Sequence, residues 1–405
     1  MSYAVKVCAS AAELREAVRP IWHYFGRSTP TDDQFERIGR VLPVERVHGA
    51  WEGGRAIGGA AAHPFLLTVP GGRLRAAGVT AVGVLPTHRR RGVLRALMRA
   101  QLDDCRRRGE SVAYLWATED RIYGRFGYGI ASVSGEIEIA RERTAYHASL
   151  DPPRVARLVG LEEAEALVAP VYERVAAATP GMFARTAAWW QARVLDDPDW
   201  RRAGGGQLQC VVVDLGSGPA AYALYRVNFG TDRGLPTGMI DVLEAMGDSP
   251  EATRAIWRYL LDIDWTARVR ARILPVDHPL FLLLAEPRRL RFNVRDGLWV
   301  RLVDVGPALS ARSYAAPDSV VVEVADEFCP WNAGRWRVSD KGAEPTESEA
   351  EIGCDVTALG SVFLGGFTWA QLARALRVEE RSPGALARAD ALFRTAIAPW
   401  CPEIF

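Results

Sequence analysis

Hydrophobic positions along the chain fall into two rhythms, one of period two and one near 3.6, and their order predicts strands and helices in a repeated plan. Ala11–Phe25 carries apolar residues at helical spacing, and Pro20, Pro30 and Pro43 are expected to break this region up. Thr29–Pro30–Thr31–Asp32–Asp33 reads as a helix start. Val47–Glu52 and Ala56–Leu67 read as strands joined at Gly53–Gly54. Leu74–Leu85 reads as a further strand, apolar enough to lie centrally in a sheet. Residues 93–108 then place Val93, Leu94, Leu97, Met98, Leu102 and Cys105 at three- and four-residue steps, with Arg95, Arg99, Asp103 and Arg106 on the other side. Gly109 stands where a left-handed residue closes such a helix, and Val112–Ala117 is a second buried strand. A strand, helix and strand in this order predict a right-handed parallel crossover.

The plan recurs further along. Gln207–Leu215 and Ala220–Val227 form a hairpin pattern, and Met239–Ala245 is another strand. Asp248–Ser249–Pro250–Glu251 then opens a helix that runs to about Leu261. The final segment differs. Leu298–Val305, Val320–Val324 and Trp336–Val338 read as its strands, and Val356–Phe363, Trp369–Leu376 and Ala385–Arg394 as its helices. Glu344–Glu351 reads as an acidic, solvated turn. The fold class is therefore α/β followed by α+β, with domains expected at 1–140, 141–295 and 296–405.

Composition narrows the function classes. A chain of 405 residues suits two or three domains. A formal net charge of +1 gives no case for nucleic acid or an anionic membrane as partner. There is no apolar run of bilayer-spanning length, and the N-terminus lacks the shape of a signal peptide, so a cytoplasmic protein is expected. Cys8, Cys105, Cys210, Cys329, Cys354 and Cys401 lie far apart without a CxxC pair. Neither a zinc site nor a redox motif is expected, and no metal.

The candidate chemistry centres on Val79–Leu94. A central strand ends, Pro86–Thr87–His88–Arg89–Arg90–Arg91–Gly92 follows, and a helix opens at Val93. The unpaired amides of a helix start bind anions. Gly92 lets the backbone approach closely, and three arginines add positive charge, so the expected ligand is a pyrophosphate. In the second domain Asp248–Ser249–Pro250 stands where Arg89–Gly92 stands in the first, and its negative charge would repel such a ligand. A second stretch, Thr118–Glu119–Asp120–Arg121–Ile122–Tyr123–Gly124–Arg125–Phe126–Gly127–Tyr128, offers a phenol. With a pKa of about 10, a phenol can protonate a departing thiolate.

Arg89-x-x-Gly92 after a strand resembles the coenzyme A loop of the GCN5-related N-acetyltransferases, although Leu94 departs from the small residue usual at that position. Tyr123, with Gly127–Tyr128 after it, is similar to that superfamily's tyrosine beside the cofactor sulfur. Together with Asp296–Gly–Leu–Trp–Val–Arg–Leu302, Cys329–Pro–Trp–Asn332, Leu364–Gly–Gly366 and Ala398–Pro–Trp–Cys401, these motifs resemble a narrower group, the enhanced intracellular survival family of bacterial acetyltransferases. The resemblance implies a catalytic acetyltransferase domain, a degenerate acetyltransferase-like domain and a sterol-carrier-protein-like domain. The first two would be mixed sheets with flanking helices. It implies acetyl-coenzyme A as co-substrate. Val82, Gly83 and Val84 would hold the pantetheine arm, Arg90, Arg91, Gly92, Val93, Leu94 and Arg95 the pyrophosphate, and Thr118 and Glu119 the neighbouring strand end. It further implies Tyr123 as acid and the carboxylate of a terminal phenylalanine, here Phe405, as base. A free α-carboxylate, with a pKa near 3.5, is a weak base.

The implied acceptor is a primary amine of a small molecule, possible acceptors including aminoglycosides and other amine antibiotics. Lysine side chains of proteins are the alternative, and a non-catalytic coenzyme A or lipid carrier is the reading from another class. Glu403 is a candidate acid for an amine pocket, while Ile21–Ser28 contains no acid and Arg27 adds positive charge. His23, Tyr24 and Phe25 serve either as pocket wall or as packing. A homo-oligomer, specifically a homohexamer, is implied by the resemblance alone.

Overall fold

The apolar runs between residues 47 and 116 assemble the first sheet. The computed structural model describes residues 3–150, 155–202, 204–216 and 218–405. The chain divides into two compact units. The first comprises Met1–Ser132, Gly297–Pro399 and Ile404–Phe405. The second comprises Val133–Asp296 and Trp400–Glu403.

In the first unit a seven-stranded sheet runs in the order Ala4–Val7, Val47–Glu52, Arg55–Val69, Gly72–Val84, Val112–Trp116, Leu298–Leu302, Gly129–Ile130. The pairing is antiparallel except at its centre, where Gly72–Val84 and Val112–Trp116 run parallel. The amphipathic helix Val93–Arg107 makes that crossover and buries Val93, Leu97, Met98, Leu102 and Cys105. A second helix, Ala11–Tyr24, includes Pro20 in its interior, so the expected break does not occur. Pro20 is buried there; its packing offsets the one backbone hydrogen bond that its ring removes. Glycines bring this helix onto the sheet. A Cβ on Gly59 would lie 2.0 Å from the Ala17 carbonyl oxygen, and one on Gly83 3.1 Å from the Ile21 backbone.

Two strands change place relative to the sequence expectation. Leu298–Leu302, read as the start of the last module, lies in the first sheet between Val112–Trp116 and Gly129–Ile130. Val133–Ala140, read as part of the first domain, pairs in the second unit's sheet with Arg268–Leu274 and Asn293–Asp296. Periodicity identifies a strand, not the sheet that accepts it, because ladder partners are chosen by tertiary packing.

The last module is a five-stranded sheet in the order Gly342–Pro345, Gly334–Ser339, Ser319–Ala325, Ile352–Asp355, Val378–Glu380. Its helix Val356–Phe363 is buried along its whole length. Glycines again set the approach. A Cβ on Gly129 would meet the Thr357 carbonyl at 1.9 Å, and one on Gly360 the Val300 carbonyl at 2.4 Å. Residues 346–350 form the irregular, acid-exposing segment expected, and its two ends are tied into the fold. Glu344 is in a strand, and Glu351 accepts the Val321 amide at 2.9 Å and pairs with Arg388.

The Cys329–Pro–Trp–Asn332 motif acts as a structural bolt. Asp326 accepts hydrogen bonds from Arg301 (2.5 Å), the Cys329 amide (2.9 Å) and Asn332 (2.9 Å). Asn332 also accepts the Val305 amide at 3.0 Å, and the Trp331 indole donates to the Val303 carbonyl at 2.8 Å. Arg301 is fully buried, so removing its carboxylate strands a charge out of water. Asp326→Ala should therefore cost about 3–5 kcal/mol of stability. Denaturant unfolding checks this; an unchanged midpoint would refute the bolt.

The second unit carries its own seven-stranded sheet, in the order Asn293–Asp296, Val133–Ala140, Arg268–Leu274, Met239–Gly247, Pro219–Asn228, Leu208–Asp214, Ala156–Val159. Met239–Gly247 and Arg268–Leu274 form its parallel pair, with helix Pro250–Asp262 as the crossover. No helix among the described residues is long and apolar enough to cross a membrane.

Candidate active site

The chemistry of the first unit follows from how its central strands part. Their parallel ladder covers only Ala76↔Val112, Ala77↔Ala113 and Gly78↔Tyr114. Beyond Gly78 the strand Gly72–Val84 continues without a ladder partner on that edge among the described residues, so the edge at Val82–Val84 lies outside the ladder. A bulge re-aims this segment. Its register with Arg55–Val69 shifts between Gly59 and Ala61, and opposite the shift Ala81 sits at a φ of 49°.

A cleft of about 640 Å³ opens at this parting. Val82, Gly83 and Val84 form one wall. Arg90, Gly92, Val93, Leu94 and Arg95 form the next, and Thr118, Glu119 and Tyr123 the third. Tyr24 and Phe25 close its mouth together with Ile21; His23 is not part of the wall.

The helix start on the second wall is chemically open. Gly92 is its N-cap, at a φ of 80°, with no side chain to satisfy the first amides. The first intrahelical bond is donated by Ala96 to the Gly92 carbonyl at 3.0 Å, so the amides of Val93, Leu94 and Arg95 have no acceptor within the helix. Elsewhere in the protein Ser10, Thr31, Ser249, Asp355 and Thr368 cap their helices with side-chain oxygens. An open helix start flanked by Arg89, Arg90 and Arg95 has the chemistry to hold an anion.

The three consecutive arginines have separate fates. Arg91 turns from the cleft to Glu52, at 2.6 Å, and His88 shares the same carboxylate at 3.1 Å. The Arg91 guanidinium, and to a lesser degree His88, holds the Glu52 carboxyl below its usual range. Of Arg91, then, only the backbone is left for a cofactor. Arg89 lies over the Tyr24 ring at 5.3 Å, and Arg95 over the Phe328 ring at 5.1 Å. Neither Glu52 nor Phe328 was foreseeable from local sequence, because both come from distant segments. Arg125, Ile122 and Phe126 also line the cleft, and their positions follow from the Tyr123 segment already singled out.

Tyr123 ends the short helix Asp120–Tyr123 and is 7% exposed. Gly127 follows in the left-handed region at a φ of 86°. A Cβ there would also collide with the Arg301 guanidinium at 2.1 Å. Burial, and secondarily the charge of Glu119, pushes the Tyr123 phenol up to about 12. A phenol held this high keeps its proton at neutral pH and has the chemistry of a proton donor.

Phe405 does not line the cleft wall; it is seated on the other face of the same sheet. Its ring packs edge-on against Phe65 (5.2 Å) and Tyr114 (5.0 Å), and its main-chain oxygen accepts the Thr80 hydroxyl at 3.1 Å. Tyr114 belongs to the last pair of the parallel ladder. The ring therefore stands where the strands separate. Tyr123 packs with Met98, Leu102 and Cys105 of the crossover helix, on the opposite face.

In the second unit the corresponding helix start is closed. Ser249 accepts the Ala252 amide at 3.2 Å, Pro250 has no amide hydrogen, and Asp248 pairs with Arg174 at 2.8 Å. Glu403 is also committed there. Arg185, buried between the rings of Tyr172 (3.9 Å) and Trp190 (4.5 Å), bonds Glu403 at 2.7 Å and Glu244 at 2.9 Å. Burial alone would lower the basicity of Arg185, but Glu244 and Glu403 more than offset it and hold it charged. Glu403 thus shares Arg185 with Glu244, and the Trp189 indole also donates to it at 3.0 Å.

Comparison with known proteins accords with this geometry. Residues 9–131 match a family described as an acetyltransferase (GNAT) domain, residues 181–302 match a second acetyltransferase (GNAT) domain, and residues 305–402 match a sterol carrier protein domain. An uncharacterized N-acetyltransferase of Streptomyces avermitilis is 41% identical, covering 94% of each chain. N-acetyltransferase Eis of Mycobacterium tuberculosis is 35% identical, covering 86% of each. The crystal structure of Eis1 from Mycobacterium abscessus superposes with a TM-score of 0.85 at 37% identity over 100% of both chains. These similarities extend through all three matched segments, and the chain belongs to the Eis-like family of GCN5-related N-acetyltransferases.

Proposed function

We propose that this N-acetyltransferase binds acetyl-coenzyme A, the co-substrate its fold implies, in the first-unit cleft and transfers the acetyl group to a primary amine of a small molecule. The observation that carries the reading is the uncapped helix start at Gly92, which opens onto the same cleft as the buried Tyr123. Amides 92–95 with Arg90 and Arg95 bind the pyrophosphate. The backbone at Val82–Val84 aligns the pantetheine arm and polarises the thioester carbonyl. Thr118 and Glu119 flank the thioester end. The Phe405 carboxylate takes a proton from the acceptor ammonium, directly or through water, the amine attacks the carbonyl, and Tyr123 protonates the departing sulfur. The closed helix start at Ser249 supports a second unit that holds no coenzyme A.

Glu119 is the only carboxylate among the described lining residues, against Arg89, Arg90, Arg95 and Arg125. The absence of an acid from Ile21–Ser28, where Arg27 adds positive charge, supports an acceptor of low positive charge over a polycationic aminoglycoside. A free-thiol release screen over amines of increasing charge tests the reading. Turnover is expected with monoamines, and Arg90→Ala should raise the KM for acetyl-coenzyme A about tenfold by removing a charge-assisted bond. Tight cofactor binding without thiol release from any amine would leave a coenzyme A-binding protein instead.

A further inference from the structure

The seat of Phe405 is more elaborate than ring packing requires. Gly78, at the end of the parallel ladder, makes room for it. A Cβ on Gly78 would lie 2.4 Å from the Phe65 ring and 3.2 Å from that of Phe405. Two residues further along the same strand, on the same face, Thr80 donates its hydroxyl to the Phe405 main-chain oxygen at 3.1 Å. Thr80 lies beyond the last parallel pair, and it is only partly buried. A β-branched side chain holds few rotamers, so this hydroxyl is fixed in direction by its own strand.

We infer that Thr80 is a positioning residue for acetyl transfer: it holds one carboxylate oxygen of Phe405 and so aims the other at the acceptor amine. The inference rests on the reading of Phe405 as base. The ring contacts with Phe65 and Tyr114 fix the side chain of Phe405, and the Thr80 hydroxyl adds a directional contact at its main-chain oxygen. A donated hydrogen bond also favours the charged carboxylate, keeping the base deprotonated at lower pH.

Three variants and a pH profile test this. Thr80→Val keeps the shape and removes the donor. Its kcat should fall about tenfold, the size of a hydrogen bond to a charged group. The acid limb of its kcat–pH profile should move to higher pH, because the carboxylate loses a bond that stabilises its ionised form. The KM for acetyl-coenzyme A should hold, since the pyrophosphate wall is untouched. Thr80→Ser should restore both kcat and the acid limb, and Thr80→Ala supplies the same reading if the valine variant does not fold. Wild-type kcat and an unmoved acid limb in the donorless variants would overturn the inference. Appending one glycine after Phe405 separates this failure from failure of the underlying reading. An inactive extended enzyme with an unaffected valine variant removes Thr80 alone, whereas a fully active extended enzyme removes Phe405 and Thr80 together.

Discussion

Replacing Tyr123 by phenylalanine is expected to lower kcat by about 10²-fold or more, while the affinity for coenzyme A stays within a factor of two or so. The ring is retained, so its packing with Tyr128 at 5.8 Å and with the crossover helix is preserved. Only the proton donor is lost, and the thiolate must leave without one. Single-turnover thiol release and calorimetric titration of coenzyme A measure the two quantities separately. The pH dependence carries a second check. Because burial raises the phenol to about 12, Tyr123 stays protonated across the working range, and activity should show no alkaline limb from this residue until pH nears that value. A variant with unchanged kcat, or one that loses cofactor binding instead, would remove Tyr123 from the chemistry.

Extending the chain by one glycine after Phe405 is expected to reduce kcat by about 10²-fold, the loss typical of a missing general base. The extension converts the carboxylate at Phe405 into a neutral amide and moves the new terminus beyond Thr80. The Phe405 ring, 8% exposed between Phe65 and Tyr114, has no reason to leave its seat. The KM for acetyl-coenzyme A should therefore hold, and the thermal midpoint should shift little. Steady-state kinetics of the extended enzyme, with unmodified protein from the same preparation, reads this out. Loss of the cofactor KM as well as kcat would point to collapse of the cleft, not to a missing base.

Much of the cleft wall was legible in the sequence because its chemistry is local. A strand end, an arginine–glycine loop and an amphipathic helix are consecutive, and a helix start presents its amides wherever it lies. Gly92, Val93, Leu94 and Arg95 line the cleft for that reason. Arg91 was not separable from its neighbours, because its partner Glu52 lies on a strand 39 residues earlier. The Thr80 contact with Phe405 spans 325 residues and leaves no local pattern at all. Leu298–Leu302 was recognisable as a strand and Val133–Ala140 was not singled out, and the sheets that accept both depend on partners far along the chain. Pro20 was misjudged for a related reason. Local propensity disfavours it in a helix, and the buried face of Ala11–Tyr24 outweighs that preference. The Cys329–Pro–Trp–Asn332 motif was noticed as a family resemblance. Its work, holding Asp326 and Val305 beneath the first sheet, emerges only in three dimensions.

The anion site at the open helix start underlies every step proposed for this enzyme, and a crystal structure with bound coenzyme A tests it most directly. The account predicts the pyrophosphate on the amides of residues 92–95 between Arg90 and Arg95, with the thiol directed toward Tyr123. A pyrophosphate bound at any other surface, with the Gly92 helix start left to solvent, would contradict it.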